Sequence, residues 1–126
     1  MEGTILIVDD EGTIRDAFSR AFIGEGYEVI TAASAEEALD LVQGRRVDVA
    51  FLDLLLPGMN GVDLCRALKK KNPIMCCFAV TGHRSLFELA QCREAGFEDY
   101  FVKPARLGLL FKTAELALDR MARWRL

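Results

Sequence analysis

No apolar stretch in the chain exceeds the seven residues from Ile74 to Val80. A bilayer-spanning helix needs roughly 20, so a membrane protein is excluded. Glu2 precedes a short apolar run that gives way to Asp9, Asp10 and Glu11. That is the reverse of a basic region followed by a long apolar one, so no secretion signal is visible and the cytoplasm is the expected compartment. Basic charge is not in excess either: 16 Lys and Arg stand against 19 Asp and Glu, for a net charge of −3. No global basic field favours nucleic acid or an anionic membrane, and any DNA binding would belong to a partner. There is one histidine, and Cys65, Cys76, Cys77 and Cys92 form no CxxC pair. Zinc and dithiol redox chemistry are therefore not expected, and the cysteines read as reduced, small apolar residues. What the chain does have is apolar mass: 52% of its 126 residues are hydrophobic. This suits one domain over residues 1–126 with one core and no output domain.

Short apolar runs alternate with helical patterns, the mark of a parallel sheet covered by helices on both faces. Five such units fit. The strands are expected at Thr4–Val8, Tyr27–Ala32, Asp48–Leu52, Ile74–Val80 and Tyr100–Val102. Ile14, Ala17, Phe18, Ala21 and Phe22 make a helical stripe, ended by Gly24 and Gly26. Ser34 with Glu37, and Ser85 with Glu88, have capping-box spacing at the starts of the second and fourth helices. The third helix carries Val62, Cys65 and Leu68, with Lys69, Lys70 and Lys71 at its C-terminal end, where cations suit the helix dipole. The last carries Leu107, Leu110, Phe111, Ala114, Leu118 and Met121 on one face.

In a parallel sheet the C-terminal ends of all strands lie along one edge, where ligands bind. Asp9 and Asp10 follow the first strand, Asp53 the third, Thr81 the fourth and Lys103 the fifth. Three converging carboxylates repel each other and must bind a proton or recruit a cation. Oxygen ligands with no nearby Cys, and positions left for water, a backbone carbonyl and a phosphoryl oxygen, describe Mg²⁺ better than zinc. Lys103 opposite such a cluster is suited to gripping a transferred phosphoryl group, and Thr81 adds a hydroxyl donor.

The pair Asp9-Asp10 after an apolar strand, Asp53 followed by Pro57 and Gly61, Thr81-Gly82 and Lys103-Pro104 occur in that order. Together they resemble the receiver domain of two-component response regulators over the full length. The resemblance implies a flavodoxin-like α/β fold with strand order 2-1-3-4-5. It implies that Asp53 accepts a phosphoryl group from a sensor histidine kinase or phosphotransfer protein. Asp10 and Asp53 would ligate Mg²⁺ with the backbone carbonyl of Leu55, and Asp9 would act through water. Lys103 would pair with the phosphoryl oxygens, and its bond to Pro104 is usually cis in the family. Thr81 would turn toward the phosphate while Tyr100 swings inward, an aromatic switch. A downstream protein or a second copy would dock on the face of helix four, strand five and helix five. Leu109, Leu116 and Trp124, off the main helical face and with Phe87 and Phe101 nearby, are apolar residues in excess of one buried stripe.

Blander explanations exist for each residue taken alone. Asp9 or Asp10 can cap a helix, Lys103 can be a solvated lysine, Tyr100 a core-edge aromatic and His83 a solvated loop histidine. Asp53 is harder to dismiss, because Val49 to Leu56 is otherwise apolar and a carboxylate there is costly without a partner. Many receivers carry a polar side chain at the position of Leu55 that can orient water, so Leu55 implies a long-lived phosphoryl group. An enzyme of the haloacid-dehalogenase type would need a second acid at Leu55. A flavin carrier would need a hydroxyl- and glycine-rich phosphate loop where Asp9-Asp10-Glu11 stands. A binding module that has lost phosphorylation would not be expected to keep every motif acid, hydroxyl and lysine.

Overall fold

Alternate residues of the first strand part to opposite sides of a sheet, and the two sides are covered by different helices. The computed structural model describes residues 2–82 and 86–124, and of residues 86 and 87 the backbone only. His83 and the expected Ser85 cap lie outside the described residues. The order is β1 (Thr4–Val8), α1 (Gly12–Gly24), β2 (Glu28–Ala32), α2 (Ala35–Leu41), β3 (Val49–Leu52), α3 (Gly61–Lys71), β4 (Cys76–Thr81), α4 (Leu86–Ala95), β5 (Phe97–Val102) and α5 (Leu107–Ala122). All neighbouring strands pair in parallel, in the order β2-β1-β3-β4-β5. The fold is therefore α/β, with the strand order that the resemblance implies.

Leu6, Val8, Ala50, Leu52, Cys77 and Ala79 face one way, into a core closed by Ala38, Leu64, Cys65, Leu68 and Cys92 of α2, α3 and α4. Ile5, Ile7, Val49, Phe51, Phe78 and Val80 face the other way, against Phe18 and Phe22 of α1 and Leu110, Ala114 and Leu118 of α5. Burying each large apolar side chain is worth roughly 1.5–3 kcal/mol, so these two faces hold the sheet between its helices. Phe22 bridges layers on the second face, with its ring 5.3 Å from Phe51 and 5.1 Å from Phe111. All four cysteines are buried free thiols, as their apolar settings imply.

Several boundaries and faces differ from expectation. β4 starts at Cys76, leaving Ile74 exposed. β5 starts at Phe97, three residues earlier than expected, because Glu98 and Asp99 lie exposed along an edge strand with a register shift opposite Cys77 and Phe78. β2 and β3 each start one residue later than expected, at Glu28 and Val49. Ala17 of the first stripe is exposed and Val62 only half-buried, with Leu64 taking the core position on α3. Ser34 caps α2 by accepting from the Glu37 amide, while the Glu37 carboxylate accepts from Ala33 rather than from Ser34, so the box is closed one residue early. Leu109, Leu116 and Trp124 are exposed, whereas Phe101 packs partly against the α1/α5 core. No helix among the described residues is long and apolar enough to cross a membrane.

Candidate functional site

The parallel ladder runs one residue past the strands and sets the site residues side by side. The Asp9 amide donates to the Ala32 carbonyl at 3.1 Å, Asp53 to Val8 at 2.9 Å and Lys103 to Thr81 at 2.8 Å. Asp9 and Asp53 thus stand side by side at the C-terminal edge, where the strand order reverses between β1 and β3, and Lys103 follows two residues beyond their row, just past β5. Asp9 and Asp53 are buried, Asp10 is exposed, and an oxygen from each lies within 4.8 Å of the others. Lys103 sits over two of them, its Nζ 2.9 Å from Asp9 Oδ2 and 3.1 Å from Asp53 Oδ2. Its peptide bond to Pro104 is cis. Thr81 ends β4, buried, beside this group.

The loop after β3 is shaped around Asp53. The Leu55 amide donates to Asp53 Oδ1 at 3.2 Å, and the Gly61 amide to the Leu54 carbonyl at 3.0 Å. A Cβ on Gly61 would collide with the Asp53 carbonyl, so only glycine lets α3 start so close to the acid. The Leu55 side chain is exposed at the mouth of the site. Tyr100 is half-buried on β5, packed against the α2/α3/α4 core, two strands over from Asp53.

One ammonium serves too many carboxylates. Burial raises the Asp53 carboxyl above its usual range, with the Asp9 charge adding to the rise, and the hydrogen bond and charge of Lys103 do not fully offset it. Burial alone would lower Lys103, but its bonds to Asp9 and Asp53 outweigh that and hold it well above the usual lysine value. These shifts agree on a site with unmet demand for positive charge. An all-oxygen donor set with that demand fits a hard divalent cation such as Mg²⁺.

Three side chains here escaped the sequence reading. Glu11 stands at the N-cap of α1 without making a cap bond, and its Oε1 lies 3.4 Å from Lys103. Arg15, one turn into α1, donates to the Asp9 carbonyl at 2.7 Å and fixes that backbone. Asn60 caps α3 by accepting from Asp63 at 2.9 Å, a spacing that was visible in the sequence. Asp9 also does a local task, accepting from the Glu11 amide at 2.9 Å, so the helix-start explanation for it is partly right.

Residues 5–115 match the model of the response regulator receiver domain family. The chain belongs to that family. A receiver domain protein from Methanospirillum hungatei superposes on this receiver with a TM-score of 0.94, at 33% identity, covering 99% of this chain and 100% of that one. The DNA-binding response regulator MtrA of Mycobacterium tuberculosis is 33% identical over 99% of the chain, which spans 52% of MtrA. A cyclic di-GMP phosphodiesterase of Thermotoga maritima is 38% identical over 85% of the chain, which covers 28% of that protein. The receiver thus spans about half or less of these curated relatives. Its family is a signalling domain of two-component systems, whose members work with histidine kinases and effector domains.

Proposed function

We propose that this receiver takes a phosphoryl group on Asp53 from the phosphohistidine of a sensor kinase or phosphotransfer protein, and that the added charge remodels a protein-interaction surface. The observation that carries this is the cluster itself: three carboxylates within 4.8 Å at the strand ends, with Lys103 bonded to two of them. An Asp53 carboxylate oxygen attacks phosphorus, a P–O bond forms, the P–N bond breaks, and the imidazole leaves with a proton from solvent. The product is an acyl phosphate. Asp10, Asp53 and the Leu55 carbonyl would hold Mg²⁺, with Asp9 acting through water. When bound, that ion offsets charge on the phosphoryl oxygens. Lys103 shifts from carboxylate to phosphoryl oxygen, Thr81 turns its hydroxyl to the new anion, and Tyr100 fills the space left. The remodelled face is α4, β5 and α5, where Val102, Leu109 and Leu116 are exposed, and it docks a downstream protein or a second copy.

Turnover of an external substrate is not part of this function, since Leu55 offers no general acid. The four free thiols suit the cytoplasm. The whole chain acts as one receiver unit. Intact mass after incubation with Mg²⁺ and a small acyl phosphate tests the reading, beside Asp53→Asn and a chelated control. One phosphoryl adduct, only in the unmodified protein with Mg²⁺, is expected. No adduct, together with no change on adding beryllofluoride, would sink it and leave a phosphorylation-independent binding module.

A further inference from the structure

The loop that carries the Leu55 carbonyl is held from outside by a side chain 23 residues away in sequence. Glu36 Oε2, on the first turn of α2, accepts from the Met59 amide at 3.0 Å. The same carboxylate closes over Gly58, whose φ is +73°, and a Cβ there would come within 2.6 Å of Oε2. The positive φ is what holds residue 58 to glycine, and the Glu36 carboxylate lies against the open side of that turn. The Met59 bond also holds the Glu36 carboxyl below its usual range. Inside the loop, the ties are the Asp53 carboxylate on the Leu55 amide and the Gly61 amide on the Leu54 carbonyl. Leu55 thus sits between an anchored start and a turn gripped by Glu36.

We infer that Glu36 is a positioning residue for the cation site, holding the Pro57–Met59 turn so that the Leu55 carbonyl is presented beside Asp10 and Asp53. This rests on the reading of those residues as the Mg²⁺ site. Glu37, on the same helical turn, accepts from the Ala33 amide instead. It supplies a matched control for charge and helix start.

Titration calorimetry of Mg²⁺ into the metal-free full chain tests the inference. Glu36→Ala should weaken Mg²⁺ binding by about threefold, the loss of one exposed hydrogen bond. Glu36→Gln keeps an acceptor oxygen and should restore affinity to near that of the unmodified protein. Glu37→Ala should leave it unchanged. Equal affinity in Glu36→Ala and the unmodified protein would overturn the inference. So would a Glu36→Gln as weak as Glu36→Ala, or an equal loss in Glu37→Ala. If the unmodified protein binds no Mg²⁺, the reading of the site fails first, and the inference with it.

Discussion

Asp48 and Asp53 flank the four buried residues of β3, each is only 5% exposed, and they meet opposite surroundings. Asp48 stands at the N-terminal edge of the sheet. Its carboxylate accepts from the Thr4 amide at 2.9 Å and from Arg46 Nε at 3.0 Å, and its backbone pairs with Thr4 and Cys76 on the strands to either side. The bonds to Thr4 and Cys76 stitch strand starts together, and Arg46 supplies the charge that matches the carboxylate. Asp53, at the other edge, shares one lysine with Asp9, has Asp10 within reach, and is pushed above the usual carboxylate range by its burial. A buried carboxylate with its own donors is a structural joint. A buried carboxylate crowded by others is held ready for a cation and an electrophile.

The largest effects separate the two acids in opposite directions. Asp53→Ala should abolish the phosphoryl adduct, while metal-free stability rises by about 1 kcal/mol, because a strained functional site is relieved. Asp48→Ala should still accept the phosphoryl group but lose about 1–3 kcal/mol, since it strips the Thr4 amide of its partner. Intact mass and urea unfolding read both quantities. Stability changes of the same sign in the two variants would break the comparison.

Acidity gives a second, smaller contrast. The folded state raises the Asp53 carboxyl, so it binds a proton more readily than the unfolded chain does. Stability from this group is present in full below the unfolded value, near pH 4 for an aspartate, and is lost as pH rises through the higher folded value. In the metal-free protein that downward slope should vanish in Asp53→Ala, and saturating Mg²⁺ should flatten it. Lys103→Met removes the hydrogen bond and the charge that lower Asp53, leaving only the Leu55 amide to do so, and should push the carboxyl further up, read by carbon NMR titration of Asp53. Phosphoryl acceptance needs the ionised carboxylate, so on acidification it should fall off above the ordinary aspartate range, and earlier still in Lys103→Met.

Two glycines near the site give a contrast of similar kind. Gly61→Ala drives a Cβ into the Asp53 carbonyl and should cost about 1–3 kcal/mol. Gly82→Ala, after β4, meets no atom of the described residues within 4 Å and should stay within about 0.5 kcal/mol. Thermal unfolding of the two distinguishes them.

Much of this arrangement is legible in the amino-acid sequence. The run Thr4–Val8 ends where Asp9 begins, because a carboxylate terminates an apolar strand, and the same rule locates Asp53, while Thr81 is the polar residue that closes the apolar run of β4. β5 was less legible because an edge strand exposes Glu98 and Asp99, which removes the apolar run that marks a strand. The strand order came through family resemblance, since periodicity says nothing about which strands are neighbours. Glu11 sat in plain view beside Asp9 and Asp10, yet its reach to Lys103 depends on a residue 92 positions on. Glu36 had no signal at all, its partner being an ordinary backbone amide brought close only by packing of α2 against α3.

The smallest expected effect concerns two exposed apolar side chains at the opposite edges of the sheet, Leu55 at 57% and Ile74 at 58%. Neither contributes much burial, so Leu55→Asn and Ile74→Asn should each stay within about 0.5 kcal/mol of the unmodified stability. Their chemistry differs by position. Leu55 follows Asp53 by two residues and offers an exposed side chain with no polar atom to orient water, whereas Ile74 precedes β4 at the far end. Leu55→Asn supplies a donor and an acceptor there and should shorten the lifetime of the aspartyl phosphate several-fold, followed by loss of the mass adduct after the donor is removed. Ile74→Asn should leave that lifetime unchanged. Equal lifetimes in the two variants would mean that the apolar side chain at position 55 is a bystander, and that water reaches the acyl phosphate by a route it does not guard.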